Sequence, residues 1–379
     1  MRLLLLFKTS PESPTYKTPS SFCVQGEVLA RGLAKLGVTY KVVDRRNEEE
    51  KAAAYKAFNP DFVVGIGYWG DVPEIVLHPR QYNQKCVPWL VPDGAVLDYQ
   101  EDLNNLELIL ATSNWTKEVL VRDGVKAPPI KVVYEGVDTG VFKPLSRDNP
   151  QVKKFRERFK VAENQILIMT VGGDGKSKGF QEVISALKIL GSKFSDWRYT
   201  VKVADSPTGQ KQKLEDTALA QELGFQNRVI FFSEMLTKND QACLFNAADI
   251  YASPSHNEGF GRPLVEAQSC AVPVLTVAGT TTKEIVRHGI TGFAAKVKEE
   301  LYERKFAFGE RVIEFQKPKL IGVKADPRDL AYYLTKLTDK DLREKMGAEG
   351  RKFVLENFDL QVSAKKLVEA IEGTYKLKG

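Results

Sequence analysis

Short apolar runs alternate with stretches of helical spacing along the first half of the chain. Leu3–Phe7, Tyr40–Val43, Phe62–Ile66, Cys86–Val91, Leu108–Ala111 and Ile130–Tyr134 are mainly apolar and too short for helices, as strands buried on both faces are. Between them, Phe22–Leu36 carries apolar residues at helical spacing and stops at Gly37. Residues 47–57 form a second such stretch, broken by Pro60. Strands of this kind alternating with helices predict a parallel sheet covered on both sides.

The mostly polar segment Phe142–Pro150, with prolines at both 144 and 150, interrupts the pattern and reads as a linker. After one helix (151–159) the alternation restarts, with strands at Ile166–Val171, Tyr199–Val203, Val229–Phe232, Ile250–Ala252 and Val272–Thr276. The helices between and after them fall at 180–191, 210–223, 239–246, 263–270 and 282–287. The predicted class is α/β, with two Rossmann-like domains over 1–145 and 146–352 whose strand ends face each other across a cleft. The highly charged stretch 298–324 reads as a surface insertion in the second domain, drawn as a hairpin. From Asp326 the pattern is helical, and 353–379 forms a terminal helical arm.

Composition narrows the class of protein. The 379 residues are 43% apolar and 27% charged, which excludes collagen, low-complexity disorder and long coiled coil. A net charge of +6 suits anionic small molecules or loose contact with an acidic membrane surface. No block of Lys and Arg interleaved with aromatics points to nucleic acid. Cys23, Cys86, Cys243 and Cys270 are far apart and the only histidines are His78, His256 and His288, so neither a disulfide framework nor a metal cluster is expected. Leu3–Phe7 is too short for the apolar region of a signal peptide, and no run reaches the ~18–20 residues of a membrane span. The expectation is a cytoplasmic protein.

Three segments at strand ends carry candidate chemistry. Gly65-Ile66-Gly67-Tyr68-Trp69-Gly70 matches the dinucleotide pattern G-x-G-x-x-G, but follows the third strand and holds two bulky rings. A cleft-facing loop carrying an aromatic, with Trp69 as an orienting group for acceptor or sugar, is preferred over a dinucleotide site. Val171–Gly179 joins a strand to a helix and resembles the end of a P-loop, yet Thr170 stands where that motif needs its first glycine. There Gly172 and Gly173 let backbone approach a ligand, while Lys176 and Lys178 neutralise phosphate as point charges. A solvated turn uses the same residues; the place at a strand's C-terminal end favours phosphate.

The third segment, Ser253–Ala267, leads from a strand through a loop into a helix with Pro263 in its first turn. Glu258 lies in the loop and Glu266 on the helix, and between them Gly259, Phe260 and Gly261 can turn backbone N–H groups toward an anion. Two such carboxylates can reach different parts of one polar ligand, although an acidic helix start would also account for the pair.

Taken with its neighbours, Ser255-x-x-Glu258-Gly259-Phe260-Gly261-x-Pro263-Leu264-x-Glu266-Ala267 resembles the signature of the family 4 retaining glycosyltransferases, a Glu, seven residues, then a Glu. The resemblance continues through Val272-Pro273-Val274, Glu284-Ile285-Val286 and Gly289-x-Thr291-Gly292. Upstream it takes in Ser113-Asn114-Trp115-Thr116, Gly136-Val137-Asp138-Thr139 and Phe142-Lys143-Pro144, so that it covers nearly the whole chain. It implies the GT-B architecture, with the last helix crossing back to the N-terminal domain. It also implies that Glu266 holds the ribose hydroxyls of a nucleotide-sugar donor, that Glu258 contacts the donor sugar, and that amides near Gly259 to Gly261 bind sugar and diphosphate. Lys178 matches the family's loop lysine. The family arginine falls at Gly173, which leaves the leaving group to Lys178 with Lys176 as substitute. The family's N-domain histidine is absent; Asp93 is the nearest polar residue and reads equally as an orienting group for acceptor or sugar and as a turn residue before Gly94. Ser20-Ser21-Phe22 stands where a double glycine is common.

The expected reaction is transfer of a hexose from a UDP- or GDP-linked sugar to a hydroxyl acceptor (a glycan, lipid-linked sugar, small molecule or protein) with retention at the anomeric carbon. No cofactor and no metal are expected, since no Asp-x-Asp motif adjoins the site, and lysines with helix dipoles take the place of a divalent ion. No nucleic-acid partner is expected; peripheral contact with the inner membrane face is compatible with the charge. Two rival readings are a non-catalytic sugar-nucleotide binder and a dinucleotide-dependent oxidoreductase using Gly65–Gly70.

Overall fold

The computed structural model describes residues 1–9, 21–92, 94–172, 176–308 and 310–375. By its contacts the chain divides into two compact units, one of 1–138, 302–321 and 357–379, the other of 139–301 and 322–356.

The first unit opens with β1 (Arg2–Phe7), α1 (Ser21–Lys35), β2 (Thr39–Asp44), α2 (Glu48–Ala57) and β3 (Phe62–Gly67). It continues with α3 (His78–Gln81), β4 (Cys86–Leu90), α4 (Gln100–Asn104), β5 (Ile109–Ala111), α5 (Asn114–Arg122) and β6 (Ile130–Val132). All six strands are parallel, in the order β2-β1-β3-β4-β5-β6. Leu4 and Leu6 of β1 pack into one core with Val63 and Ile109, while Leu3 and Leu5 pack into another with Leu29 and Leu33 of α1. A strand with a core on each face has no solvated side, which is why its sequence is continuously apolar. Caps set the helix starts: Asn47 accepts from the Glu50 amide, and Ser113 and Thr116 bond each other's backbone N–H at 3.1 and 2.9 Å.

The second unit follows the same plan. It runs through α6 (Pro150–Arg158), β7 (Ile166–Val171), α7 (Phe180–Leu190), β8 (Trp197–Lys202), α8 (Pro207–Glu222) and β9 (Val229–Phe232). Then come α9 (Lys238–Ala247), β10 (Ile250–Ala252), α10 (Arg262–Ser269), β11 (Val274–Val277), α11 (Thr282–Ile285) and β12 (Gly292–Ala295). These six strands are parallel too, ordered β12-β11-β10-β7-β8-β9. The strand order reverses between β7 and β10, the position at which open parallel sheets bind ligands beyond their strands' C-terminal ends. β12 is missed by hydropathy because Gly292, Ala294 and Ala295 carry little apolar surface; its place beside β11 buries it.

Beyond β12 the chain forms β13 (Val297–Phe308) and β14 (Arg311–Ala325), a two-stranded hairpin, then α12 (Pro327–Lys336), α13 (Lys340–Asn357) and α14 (Leu360–Tyr375). The charged insertion is thus a hairpin, but it is not confined to the second unit: residues 302–321 group with the first. There Lys319 pairs with the buried Asp123 at 2.9 Å, Arg122 donates to the Leu320 carbonyl at 2.6 Å, and Leu320 packs on the apolar core. The terminal helix α14 also belongs to the first unit, with Ala364, Leu367 and Ile371 in the core that holds Leu29 and Leu33. Nor is 142–150 a free linker. Phe142 is buried, Leu145 N–H donates to Asn246 Oδ1 at 2.8 Å, and Arg147 pairs with Asp249 at 2.8 Å, all within the second unit. Among the described residues no helix is long and apolar enough to cross a membrane.

One buried acid in the second unit gives a pH-dependent stability. Asp216 on α8 is fully buried, and desolvation raises its carboxyl to about 6 although Gln212 donates to it at 2.8 Å. An acid raised by folding stabilises the fold below its unfolded value, and that contribution is lost as pH climbs through the folded one. Asp216→Asn should therefore exceed the wild type in stability by up to about 3 kcal/mol above about pH 7. Below the ordinary aspartate range the difference should vanish. Urea unfolding at the two pH values measures both.

Candidate active site

The site is built where β7 and β10 end side by side. After Val171 the chain passes Gly172, then a 3₁₀ turn at Lys176–Lys178, and enters α7 through Gly179. Gly179 has φ +74°, and a Cβ there would collide with the Pro254 carbonyl, so glycine is what lets α7 begin against the loop after β10. Gly172 serves in another way: the Lys178 side chain lies where its Cβ would be. Lys178 Nζ then reaches Glu258 Oε1 at 2.7 Å, with 18% and 12% of the two side chains exposed.

The loop that carries Glu258 is pinned along its length. Thr276 donates its hydroxyl to the Ser253 carbonyl at 2.8 Å, and the Ser253 and Ser255 hydroxyls are 2.9 Å apart. Thr281 Oγ1 lies 2.7 Å from the Glu258 carbonyl and 3.1 Å from that of Gly259. The Phe260 ring is 2% exposed and belongs to the packing, so only its backbone can meet a ligand. Gly261, at φ +91°, turns the chain into α10, which starts with Pro263 in its first turn and without a side-chain cap.

Glu266 sits on α10 with 4% of its surface exposed. Its Oε2 accepts from Gln241 Nε2 of α9 at 2.8 Å, and Arg262 Nε lies 3.8 Å from Oε1. Burial pushes the carboxyl above the ordinary glutamate range; Arg262, Gln241 and Lys238 pull it back only in part. A buried carboxylate with one oxygen held by an amide keeps acceptor capacity for hydroxyl donors, the chemistry that vicinal sugar hydroxyls need.

The structure thus gathers Gly172, Lys178, Glu258, Gly259, Phe260, Gly261 and Glu266 in one unit, on the strand–helix connections that follow β7 and β10. Lys176 stands in the same 3₁₀ turn as Lys178. Asp93 and Gly173 lie outside the described residues. Trp69 is not the open aromatic expected of it: its ring is 5% exposed in the first unit's core, and the partly exposed ring is Tyr68, parallel to Phe22 with centroids 6.3 Å apart. The G-x-G-x-x-G reading fails for a physical reason. Gly65 and Gly67 lie inside β3, a 3₁₀ turn at Trp69–Asp71 follows, and the Asp71 carboxylate accepts from the Tyr68 amide at 3.1 Å. An acid paired with Arg45 occupies the place a pyrophosphate would need. Sequence reasoning missed Gln241, because α9 offers no motif around it, and Thr281, whose only signal is the run Thr280-Thr281-Thr282. Among the described residues no group of three or more acids, histidines or cysteines could hold a metal ion.

Comparison with known proteins places the chain beside glycosyl transferases. Residues 151–308 match the family described as glycosyl transferases group 1. A stretch of 188 residues, 49% of the chain, is 34% identical to D-inositol 3-phosphate glycosyltransferase of Mycobacterium tuberculosis and of Mycobacterium bovis, and covers 36% of those relatives' length. Sucrose-phosphate synthase from Thermosynechococcus elongatus superposes with a TM-score of 0.75 over 99% of both chains at 16% identity. Anabaena HepE, solved with UDP and glucose, gives a TM-score of 0.73 at 17% identity, covering 98% of this chain and 100% of its own. The architecture is the GT-B fold.

Replacing Gly179 tests the packing of the two loops. Gly179→Ala forces either a strained backbone or a shift away from Pro254, and should lower stability by about 1–3 kcal/mol, read from the urea midpoint. A midpoint equal to the wild type would show that the close approach does not matter.

Proposed function

We propose that this chain, whose residues 151–308 match the group 1 glycosyl transferases, moves a hexose from a UDP- or GDP-linked sugar to a hydroxyl acceptor, with retention and without a metal ion. The observation that carries the reading is the convergence of a cation, Lys178, and two acids, Glu258 and Glu266, beside the uncapped start of α10. Two further facts support it: the 34% identical relatives are glycosyltransferases, and a protein of the same fold was solved with UDP and glucose.

Each group has a task set by its surroundings. Glu266 accepts from the ribose hydroxyls, with Gln241 fixing its other oxygen. The amides of Gly259 to Gly261 and the start of α10 face the diphosphate, where the helix dipole favours negative charge. Lys178 meets the charge that grows on the departing diphosphate, and Glu258, its present partner, accepts from the donor sugar's hydroxyls while keeping that ammonium in place. The bond from the anomeric carbon to the phosphate oxygen breaks as the acceptor oxygen bonds to the same face. The freed phosphate oxygen takes the acceptor's proton, so no protein nucleophile is required. The remaining contribution is orientation of the two substrates.

Mass spectrometry of the purified protein with a panel of UDP- and GDP-hexoses and candidate acceptors should show release of nucleoside diphosphate with a matching glycosylated product. Glu266→Ala should weaken donor binding by about tenfold or more, the worth of a charge-assisted hydrogen bond. Lys178→Ala should lower kcat by roughly a hundredfold with a smaller change in KM; full activity would remove Lys178 from its role. Turnover should survive chelator treatment, and restoration by magnesium after its loss would refute the metal-free part. Because Glu266 is raised above the ordinary range and must be ionised to accept two hydroxyls, donor affinity should fall on acidification at a higher pH than an ordinary glutamate gives. Calorimetric titration across the acidic range checks the direction.

A further inference from the structure

We infer that His256, held by Glu182, is a positioning residue of this site: it fixes the register between the loop of Lys178 and the loop of Glu258. The kinetic half of this inference rests on the function proposed above; the structural half does not.

His256 bonds to three segments at once. Its N–H donates to the Ser177 carbonyl at 2.7 Å, its carbonyl accepts from Val323 N–H of β14 at 2.8 Å, and its Nε2 lies 2.9 Å from Glu182 Oε1 in the first turn of α7. Gly322 packs so tightly on the same carbonyl that a Cβ would strike it. Ser177 adjoins Lys178 in sequence, and His256 stands two residues before Glu258. The 2.7 Å contact between Lys178 and Glu258 is therefore the second link between two loops, and the first is made through His256.

Two of the three bonds use only backbone, and any residue but proline could make them. The third needs this side chain. Glu182 is buried, and its Oε2 has no hydrogen-bond partner among the described residues, so the imidazole is the chief polar contact of that carboxylate. Loss of the imidazole leaves a buried acid poorly satisfied, and burial without a partner is costly. Since α7 begins at Gly179 against Pro254, a shift of Glu182 moves the helix start next to Lys178. Neither His256 nor Glu182 is assigned to a ligand above, so their effect is transmitted through Lys178 and Glu258. The expected signature is loss of turnover without loss of nucleotide binding.

The test uses the full chain and four variants: His256→Ala, His256→Gln, Glu182→Ala and the double alanine. Glutamine keeps a side-chain N–H that can reach Glu182. In His256→Ala, kcat should fall roughly ten- to a hundredfold, as misplacement of reacting groups by about an ångström does. Affinity for UDP or GDP, read by calorimetry, should stay within about twofold, since only orientation is disturbed. His256→Gln should recover most of the rate, and the double variant should be no worse than either single one, as for residues acting as a pair. Hydrogen exchange at 176–178 and 256–261 should quicken in both alanine variants and be restored by glutamine. An unchanged kcat, an equal loss of nucleotide affinity, no recovery with glutamine, or additive losses would each overturn the assignment. Should His256→Ala not fold, Glu182→Ala is read against the same criteria. If the wild type binds neither nucleotide, the proposed function fails, while exchange still decides the brace: equal protection in wild type and variants would overturn it.

Discussion

The ion pair of Lys178 with Glu258 joins two loops that leave neighbouring parallel strands, and the bond of His256 to Ser177 beside it holds the same two loops together. Partial burial strengthens the attraction between the two charges but also strips water from both. The surroundings must then do what water would have done. A glycine allows α7 to start against Pro254, threonines hold the loop's carbonyls, and His256 ties the loop to the adjacent turn. The pair is the visible end of a wider set of bonds that fixes both loops against each other.

Two buried acids of the second unit show opposite uses of the same cost. Asp216 is raised by burial and accepts from the Gln212 amide on its own helix. Glu266 is raised by burial as well, yet it stands on a helix start with Arg262 one turn away and Gln241 holding one oxygen. In the first case the cost falls on stability alone. In the second it leaves a hydrogen-bond acceptor whose orientation is already fixed by its neighbours.

Much of this was legible in the sequence, and for a definite reason. Strands buried on both faces are continuously apolar, so Leu3–Phe7, Phe62–Ile66 and Ile166–Val171 announce themselves, and the loops at their ends follow. Glu258 and Glu266 were legible as candidates because both lie on one contiguous strand–loop–helix segment that resembles a family signature. What escaped were contacts between distant segments: Gln241 from α9 on Glu266, Glu182 from α7 on His256, and Lys319 from β14 on Asp123. Trp69 was misread because the direction of a ring in a short turn depends on the Asp71 carboxylate that closes the turn, a fact no local pattern carries. β12 was missed because its burial comes from its neighbour rather than from its own side chains.

The chain passes back and forth between its two units: the hairpin's outer half and the last helix return to the unit that residue 138 had left. Dissection at that boundary would therefore not yield an independent lobe. A fragment ending at 138 would lose α14 from the face of α1 and would strip Asp123 of its lysine, leaving apolar surface wet and a buried carboxylate without that cation. Folding of the first sheet into its finished form must await α14, so that the segment made early is completed only by one made more than two hundred residues later.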